Sequence, residues 1–136
     1  MTQANKDVVR RFNTEVIVAG NREAFEALMA PDFVNRSAPS GAPDGPESLW
    51  NTFQYVLRPA LSELSVTIHD QIADGNKVTT RKTITGVHTG PFMGIEATGQ
   101  PIQIDVIDIV RVADGRYAEH WGINTLPSVL AQLKGG

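Results

Sequence analysis

Residues 102–112 read IQIDVIDIVRV, and seven of these eleven are Ile or Val. A run so rich in β-branched residues belongs in a strand, where stiff side chains pack well on a pleated surface. ADG follows at 113–115, then RYAEHWGIN at 116–124, so the region reads as an antiparallel hairpin. Side chains alternate across a strand. One face of the first strand therefore carries Ile104, Val106, Asp108, Val110 and Val112, and the other carries Gln103, Asp105, Ile107, Ile109 and Arg111. Asp105 has polar company. Asp108 is the one polar residue on an aliphatic face, where an unpaired charge would be very costly. It must be paired, hydrogen-bonded or protonated.

The turn offers a partner. If ADG is a three-residue loop with Gly115 left-handed, Val112 lies opposite Arg116 and, counting back, Asp108 lies opposite His120. Gly122 and Asn124 then share that face. A two-residue loop or a single bulge would instead set Trp121 opposite Asp108. An Asp–His pair in a dry place can do acid–base work near neutral pH, or it can be a satisfied polar contact in a core.

The rest of the chain divides into helices and then strands. Val8, Val9, Phe12 and Val16 recur at helical spacing after a capping Asn5, and Gly20 ends that helix. Asn21 caps a shorter helix carrying Phe25, Leu28 and Met29, which Pro31 stops. A loop spans 36–45. Pro46 opens a third helix with Leu49, Trp50, Phe53, Val56 and Leu57, ending near Arg58-Pro59. Leu64, Val66 and Ile68 then alternate with polar residues, ADGN at 73–76 turns the chain, and a strand runs from Lys77 to His88. Pro127 starts a short last helix. Helices followed by an antiparallel meander predict an α+β fold, and 136 residues form one domain spanning 1–136.

Composition narrows the function. With no cysteine there is no thiolate catalysis or disulfide frame. A net charge of −3 without a Lys/Arg cluster argues against nucleic acid and anionic membranes as partners. No apolar run is long enough to cross a bilayer and no signal-peptide pattern is present, so a soluble cytoplasmic protein is expected. His69, His88 and His120 lack the short spacing of metal ligands, and there is no Gly-rich phosphate loop and no nucleophile elbow. Acid–base groups in a shaped apolar pocket remain, with no metal or cofactor. Other candidates each have a plain alternative. Arg81 in RKTIT lies in a pocket or on the solvated face. His88 in GVHTG is catalytic or holds a loop. Asn35 in PDFVN orders a ligand or satisfies backbone at a strand end. Trp50 and Phe53 stack on a ligand or fill the core.

APDFVN at 30–35, GVHTGPFMGIEATGQ at 86–100 and IDIVRVADGRYAEHW at 107–121, in this order of elements, resemble the SnoaL-like polyketide cyclases of the nuclear transport factor 2-like superfamily. The resemblance covers nearly the whole chain. It implies a cone-shaped α+β barrel, with the N-terminal helices packed in a strongly curved, mainly antiparallel sheet around a deep apolar pocket. It implies a homodimer through the outer sheet face, and cofactor-independent chemistry on a hydrophobic carbonyl compound, by aldol cyclisation or isomerisation. Asn35 falls on the family's pocket asparagine, and Asp108 falls where those cyclases carry a pocket histidine. Their acid–base aspartate, two residues beyond the histidine of the last strand, is here Gly122. Asp108 and His120 are accordingly the expected catalytic pair, with Asn35, Trp50, Phe53, Arg81 and His88 around the substrate. Two alternatives stand beside this reading. One is a non-catalytic binding or dimerising scaffold of the same fold. The other is a limonene-type epoxide hydrolase using Arg81 and Asp108, against which Thr83 stands where a second carboxylate is expected.

Overall fold

The computed structural model describes residues 2–135. The first helix, α1 (Thr2–Arg11), runs without a break into a π-helical segment, Phe12–Val18. It begins before Asn5, so Asn5 lies inside the helix and does not cap it. Gly20, at φ 68°, ends it in the left-handed conformation that glycine adopts without strain. Asn21 caps α2 (Arg22–Leu28), its side-chain oxygen accepting from the Ala24 N–H at 3.1 Å. Pro46 is the first residue of α3 (Pro46–Asn51), which continues through a second π-helical segment, Thr52–Leu57, and a closing turn, α4 (Arg58–Ala60).

Between α2 and α3 lies a strand the periodicity did not announce, β1 (Met29–Asn35). Pro31 does not merely stop a helix; it sits in an edge strand, where its missing N–H costs little. The meander follows as β2 (Leu61–Asp74), β3 (Lys77–His88), β4 (Pro101–Ala113) and β5 (Arg116–Asn124), and α5 (Leu126–Gly135) ends the chain. The sheet order is β1-β5-β4-β3-β2, with β1 parallel to β5 and every other pair antiparallel.

This arrangement corrects the expected cone-shaped barrel. Closure would require β1 to pair with β2, and these are instead the two edges of an open mixed sheet. The α+β class and the helices-first order hold. The strong curl does not.

Inward residues alternate as the pleat demands. On β3 they are Val78, Thr80, Lys82, Ile84 and His88, and on β4 they are Ile102, Ile104, Asp108, Val110 and Val112, all buried. Helical aromatics cover them. Phe12 stacks on Tyr117 with centroids 4.1 Å apart and meets Phe25 and Phe53 at 6.4 and 6.2 Å. Burying each such side chain contributes about 1.5–3 kcal/mol. Trp50 packs on Phe25 at 5.2 Å and lies between the guanidinium groups of Arg22 and Arg58, 5.1 and 5.4 Å from its ring. Arg58 also donates to the Val16 carbonyl at 3.1 Å, tying the end of the first π-helical segment to the third helix.

Candidate active site

The β4–β5 hairpin decides which side chains meet. Asp114 and Gly115 have φ of 52° and 74°, the signature of a two-residue type I′ turn, and Ala113 pairs with Arg116. The register then slips once more. Val112 pairs with Tyr117 but Arg111 pairs with Glu119, leaving Ala118 as the extra residue of a bulge. The two one-residue offsets add. Asp108 lies opposite Gly122, and His120 opposite Val110, so the expectation of a directly opposed Asp108–His120 pair is wrong by two residues. Two odd shifts restore parity, however, and His120 still faces inward. Without the bulge, Tyr117 and His120 would lie on opposite faces. With it, both line one cavity.

Asp108 and His120 meet diagonally, His120 Nε2 lying 3.5 Å from Asp108 Oδ2. Gly122 makes this possible. A Cβ at 122 would lie 3.0 Å from His120 Cε1, 3.2 Å from its Nε2 and 3.4 Å from Asp108 Cβ. The glycine thus leaves room for the imidazole to lie over its position and reach the aspartate.

Asn35 sets the ring's chemistry. β1 pairs Asn35 with His120, and Asn35 Oδ1 lies 3.0 Å from His120 Nδ1. The same oxygen accepts the Ser37 N–H at 3.1 Å, which fixes it as the acceptor end of the amide. His120 Nδ1 is therefore the donor. In the neutral ring Nε2 then carries the lone pair and faces the aspartate.

A cation that sequence reasoning missed completes the cluster. Lys82, on the inward face of β3, is 4% exposed, and its Nζ lies 3.3 Å from Asp108 Oδ2. It donates to Asn13 Oδ1 at 2.7 Å. Asn13 is buried in the first π-helical segment and donates in turn to the Val9 carbonyl at 2.8 Å. The alternation that singled out Asp108 also places Lys82 inward, between Thr80 and Ile84, and a lysine on a buried face is the signal that could have found it.

Burial alone would raise the Asp108 pKa, as its aliphatic face led one to expect. The Lys82 ammonium, and then His120 where its ring is protonated and Nε2 can donate, outweigh burial and hold it below the usual carboxylate range. Asp108 is a carboxylate at neutral pH. Its Oδ2 lies within 3.5 Å of both Lys82 Nζ and His120 Nε2, and its buried Oδ1 has no hydrogen-bond partner among the described residues. Burial, and after it the Asp108 charge, push the Tyr117 phenol well above its ordinary value, so it stays protonated.

Asp108, His120, Lys82 and Tyr117 line a cavity of about 20 Å³ with Phe12, Ile17, Leu49 and Phe53. That is room for about one water. Among the described residues no three His, Asp or Glu side chains converge as metal ligands.

The remaining expected residues separate. Phe53 lines the cavity, whereas Trp50 belongs to the core beside it. Arg81 points out of the opposite face of the sheet and pairs with Asp70 at 2.7 Å, so it is not near Asp108. β-Strand alternation gives the reason: Arg81 follows Thr80 and precedes Lys82, both inward. That also removes the Arg81–Asp108 combination of the epoxide hydrolase reading. His88 is buried, but at the far end of β3. Its Nδ1 accepts the Thr98 N–H at 3.2 Å and its ring meets Phe92 edge-on at 6.2 Å, so it holds the 89–99 loop.

Comparison with known proteins agrees with this frame. Functionally curated proteins include no match to the chain. Among solved structures, IdmH of Streptomyces antibioticus, a candidate polyketide cyclase, is 29% identical, with 96% of this chain and 98% of that chain covered and a TM-score of 0.81. A candidate SnoaL-like polyketide cyclase of Jannaschia is 24% identical over 99% of this chain and 94% of its own, with a TM-score of 0.85. An LEH-like epoxide hydrolase of M. tuberculosis shares the fold at 19% identity and a TM-score of 0.72, with 99% of this chain and 92% of that chain covered. The profile of the SnoaL-like polyketide cyclases matches residues 7–133, and the chain belongs to that family.

Proposed function

We propose that this protein is an enzyme of acid–base carbon chemistry, acting on a hydrophobic small molecule with an acidic C–H beside a carbonyl, by cyclisation or isomerisation. One observation carries the reading. A buried carboxylate with a free oxygen, a half-buried imidazole of fixed tautomer and a ring of apolar side chains share one cavity. Asp108 Oδ1 takes the proton from carbon. His120, through Nε2, then receives it or donates to Oδ2, and Asn35 keeps that nitrogen aimed at the aspartate. Asp108 stands directly across the strands from Gly122, so a carboxylate from β4 reaches the region that a side chain at 122 on β5 would occupy. This supports a transposed acid–base group in place of the aspartate the family resemblance leads one to expect at 122. A substrate larger than one water must enlarge the cavity, and of its apolar lining Phe12, Ile17 and Leu49 are buried whereas Phe53 is partly exposed.

The outer face of the sheet supports a second part of the reading, a homodimer. Ile72 and Ile123 are 68% and 73% exposed, and Ile107 and Ile109 stand between them. A group of large aliphatic side chains on an open sheet fits an interface.

The test is solvent-deuterium incorporation next to the carbonyl in a panel of hydrophobic β-keto esters, followed by NMR. The wild-type protein should accelerate exchange, and Asp108→Asn should lose roughly 10²–10⁴-fold, the contribution of a positioned proton-transfer group. A folded Asp108→Asn protein that exchanges as fast as wild type refutes the assignment and leaves a binding scaffold.

A further inference from the structure

A carboxylate whose proton affinity is held down is always ready as a base but is a weak one. A weak base removes a proton from carbon only if the neighbouring carbonyl oxygen is relieved of the charge it acquires. Two groups of the cavity can donate to that oxygen, the Tyr117 hydroxyl and the Lys82 ammonium, and only the second carries a charge that offsets the one formed. Lys82 Nζ has three N–H donors. Asn13 Oδ1 takes one at 2.7 Å and Asp108 Oδ2 lies on another at 3.3 Å. The third has no protein acceptor among the described residues, and Lys82 lines the cavity. An acidic C–H and the carbonyl oxygen it is conjugated with sit on adjacent carbons, so a base and an electrophile acting on them must stand side by side. Asp108 and Lys82 do.

We propose that Lys82 is the electrophile of this site, its ammonium binding the enolate oxygen that forms as Asp108 removes the proton. Asn13 is then a positioning residue: held by the Val9 carbonyl inside the π-helical turn, it aims the ammonium. The inference rests on the carbonyl reading above and makes a demand of its own, that the cavity prefer an oxyanion. It also separates two roles a buried lysine can have near a carbonyl. As an ammonium shared with Asp108 and Asn13 it donates; as a free amine it would attack carbon and form an imine.

A phenol is the probe, because a bound phenolate is a stable stand-in for an enolate and its colour reports its charge. With 4-nitrophenol, the wild-type protein should bind the ionised form, lowering the phenol's apparent pKa by about one unit or more, as a nearby cation does. Asp108→Asn, which removes the competing carboxylate, should deepen that shift. Lys82→Met should abolish it. Because Lys82→Met leaves a buried charge that could prevent folding, the charge-balanced Asp108→Asn/Lys82→Met protein serves as the second comparison. The proposal is overturned if neither wild type nor Asp108→Asn binds phenolate, or if the double variant binds it as well as Asp108→Asn does. It is also overturned if borohydride and a small ketone trap an adduct on Lys82, for then the lysine is a nucleophile. If phenolate binds as described but no keto ester exchanges, the oxyanion site stands and the carbonyl reaction falls. If exchange is seen and survives Lys82→Met, the reverse holds.

Discussion

Gly122→Ala separates the catalytic geometry from the fold. The new Cβ would approach His120 Cε1 to 3.0 Å and Nε2 to 3.2 Å, where ordinary contact begins at 3.4 Å, so the ring must retreat by a few tenths of an ångström. It can, because the His120 side chain is 18% exposed and can move outward. The Nε2–Oδ2 separation is already 3.5 Å, longer than an ordinary hydrogen bond, so any retreat keeps the ring from closing on the aspartate when it carries the proton. Stability should change little. A weakened neutral hydrogen bond to Asn35 costs about 0.5–1.5 kcal/mol. Replacing a glycine whose φ is not in the left-handed region returns about 0.4–1 kcal/mol through the unfolded chain. The net is within about 1 kcal/mol of zero, measurable by urea unfolding. Carbon-acid exchange should fall much further. A charge-assisted hydrogen bond from an imidazolium to Asp108 contributes about 1.5–3 kcal/mol, a roughly ten- to hundredfold loss of rate. Nitrogen-15 spectra of the ring provide a control that needs no substrate: wild-type His120 should be the Nδ1–H tautomer when neutral, and the alanine variant a mixture. Full exchange activity in a folded Gly122→Ala protein would refute the role of the diagonal contact. A stability loss above about 3 kcal/mol would show that the methyl meets something less yielding than the ring.

Other outcomes follow from the same contacts. The folded pKa of Asp108 lies below its unfolded value of about 3.9. Its contribution to stability is therefore fully present above that value and is lost as pH falls through the folded pKa. The urea midpoints of wild type and Asp108→Asn should differ at pH 6 and converge in acid; convergence on going toward pH 7 instead would mean that burial outweighs Lys82. Ile123→Glu should convert a dimer to a monomer in sedimentation, and a wild-type protein that is monomeric at micromolar concentration refutes the interface. Replacing the polar cluster by apolar side chains, as Asn13→Leu/Lys82→Met/Asp108→Leu, should leave stability unchanged or raise it by about 1–4 kcal/mol while exchange is lost. A large loss of stability in that triple variant would make the cluster structural.

Much of this fold is legible in the chain because strand alternation is a strong signal. The faces of β4 follow from IQIDVIDIVRV, and the burial of Asp108 with them. Turn chemistry is legible too: of the two loop lengths the chain allows, Asp114-Gly115 marks the two-residue type I′ turn that the structure takes. The bulge at Ala118 had no such mark, because nothing in RYAEHW distinguishes an extra residue from a paired one. β1 was hidden because seven residues broken by Pro31 and joined in parallel to a strand over eighty residues away leave no local period. With β1 unseen, Asn35 could be placed by resemblance only. Barrel closure was equally beyond reach, since it depends on whether two edges meet and not on any one segment. Lys82 is open to the same alternation argument as Asp108: the pleat that turns Arg81 outward turns Lys82 inward.

Three local departures from regular structure converge on one cavity, and each has a cost that the sheet and helices do not require. The π-helical segment replaces tighter α-helical bonding and places Asn13 against Lys82. The bulge interrupts the β4–β5 ladder and turns His120 inward together with Tyr117. Gly122 gives up a side chain on β5 and with it any packing, and so admits the imidazole. To these is added a buried ion pair whose desolvation its own attraction barely offsets. A cluster that served stability alone would close its hydrogen bonds, since a buried unsatisfied acceptor costs about 1–3 kcal/mol. This one leaves Asp108 Oδ1 and the third Lys82 N–H without a partner among the described residues, on two side chains that meet at 3.3 Å through Oδ2. One acceptor and one donor on neighbouring side chains are complementary to a molecule that presents an acidic hydrogen beside an electron-accepting oxygen. The irregularities are explained together if such a molecule completes the network.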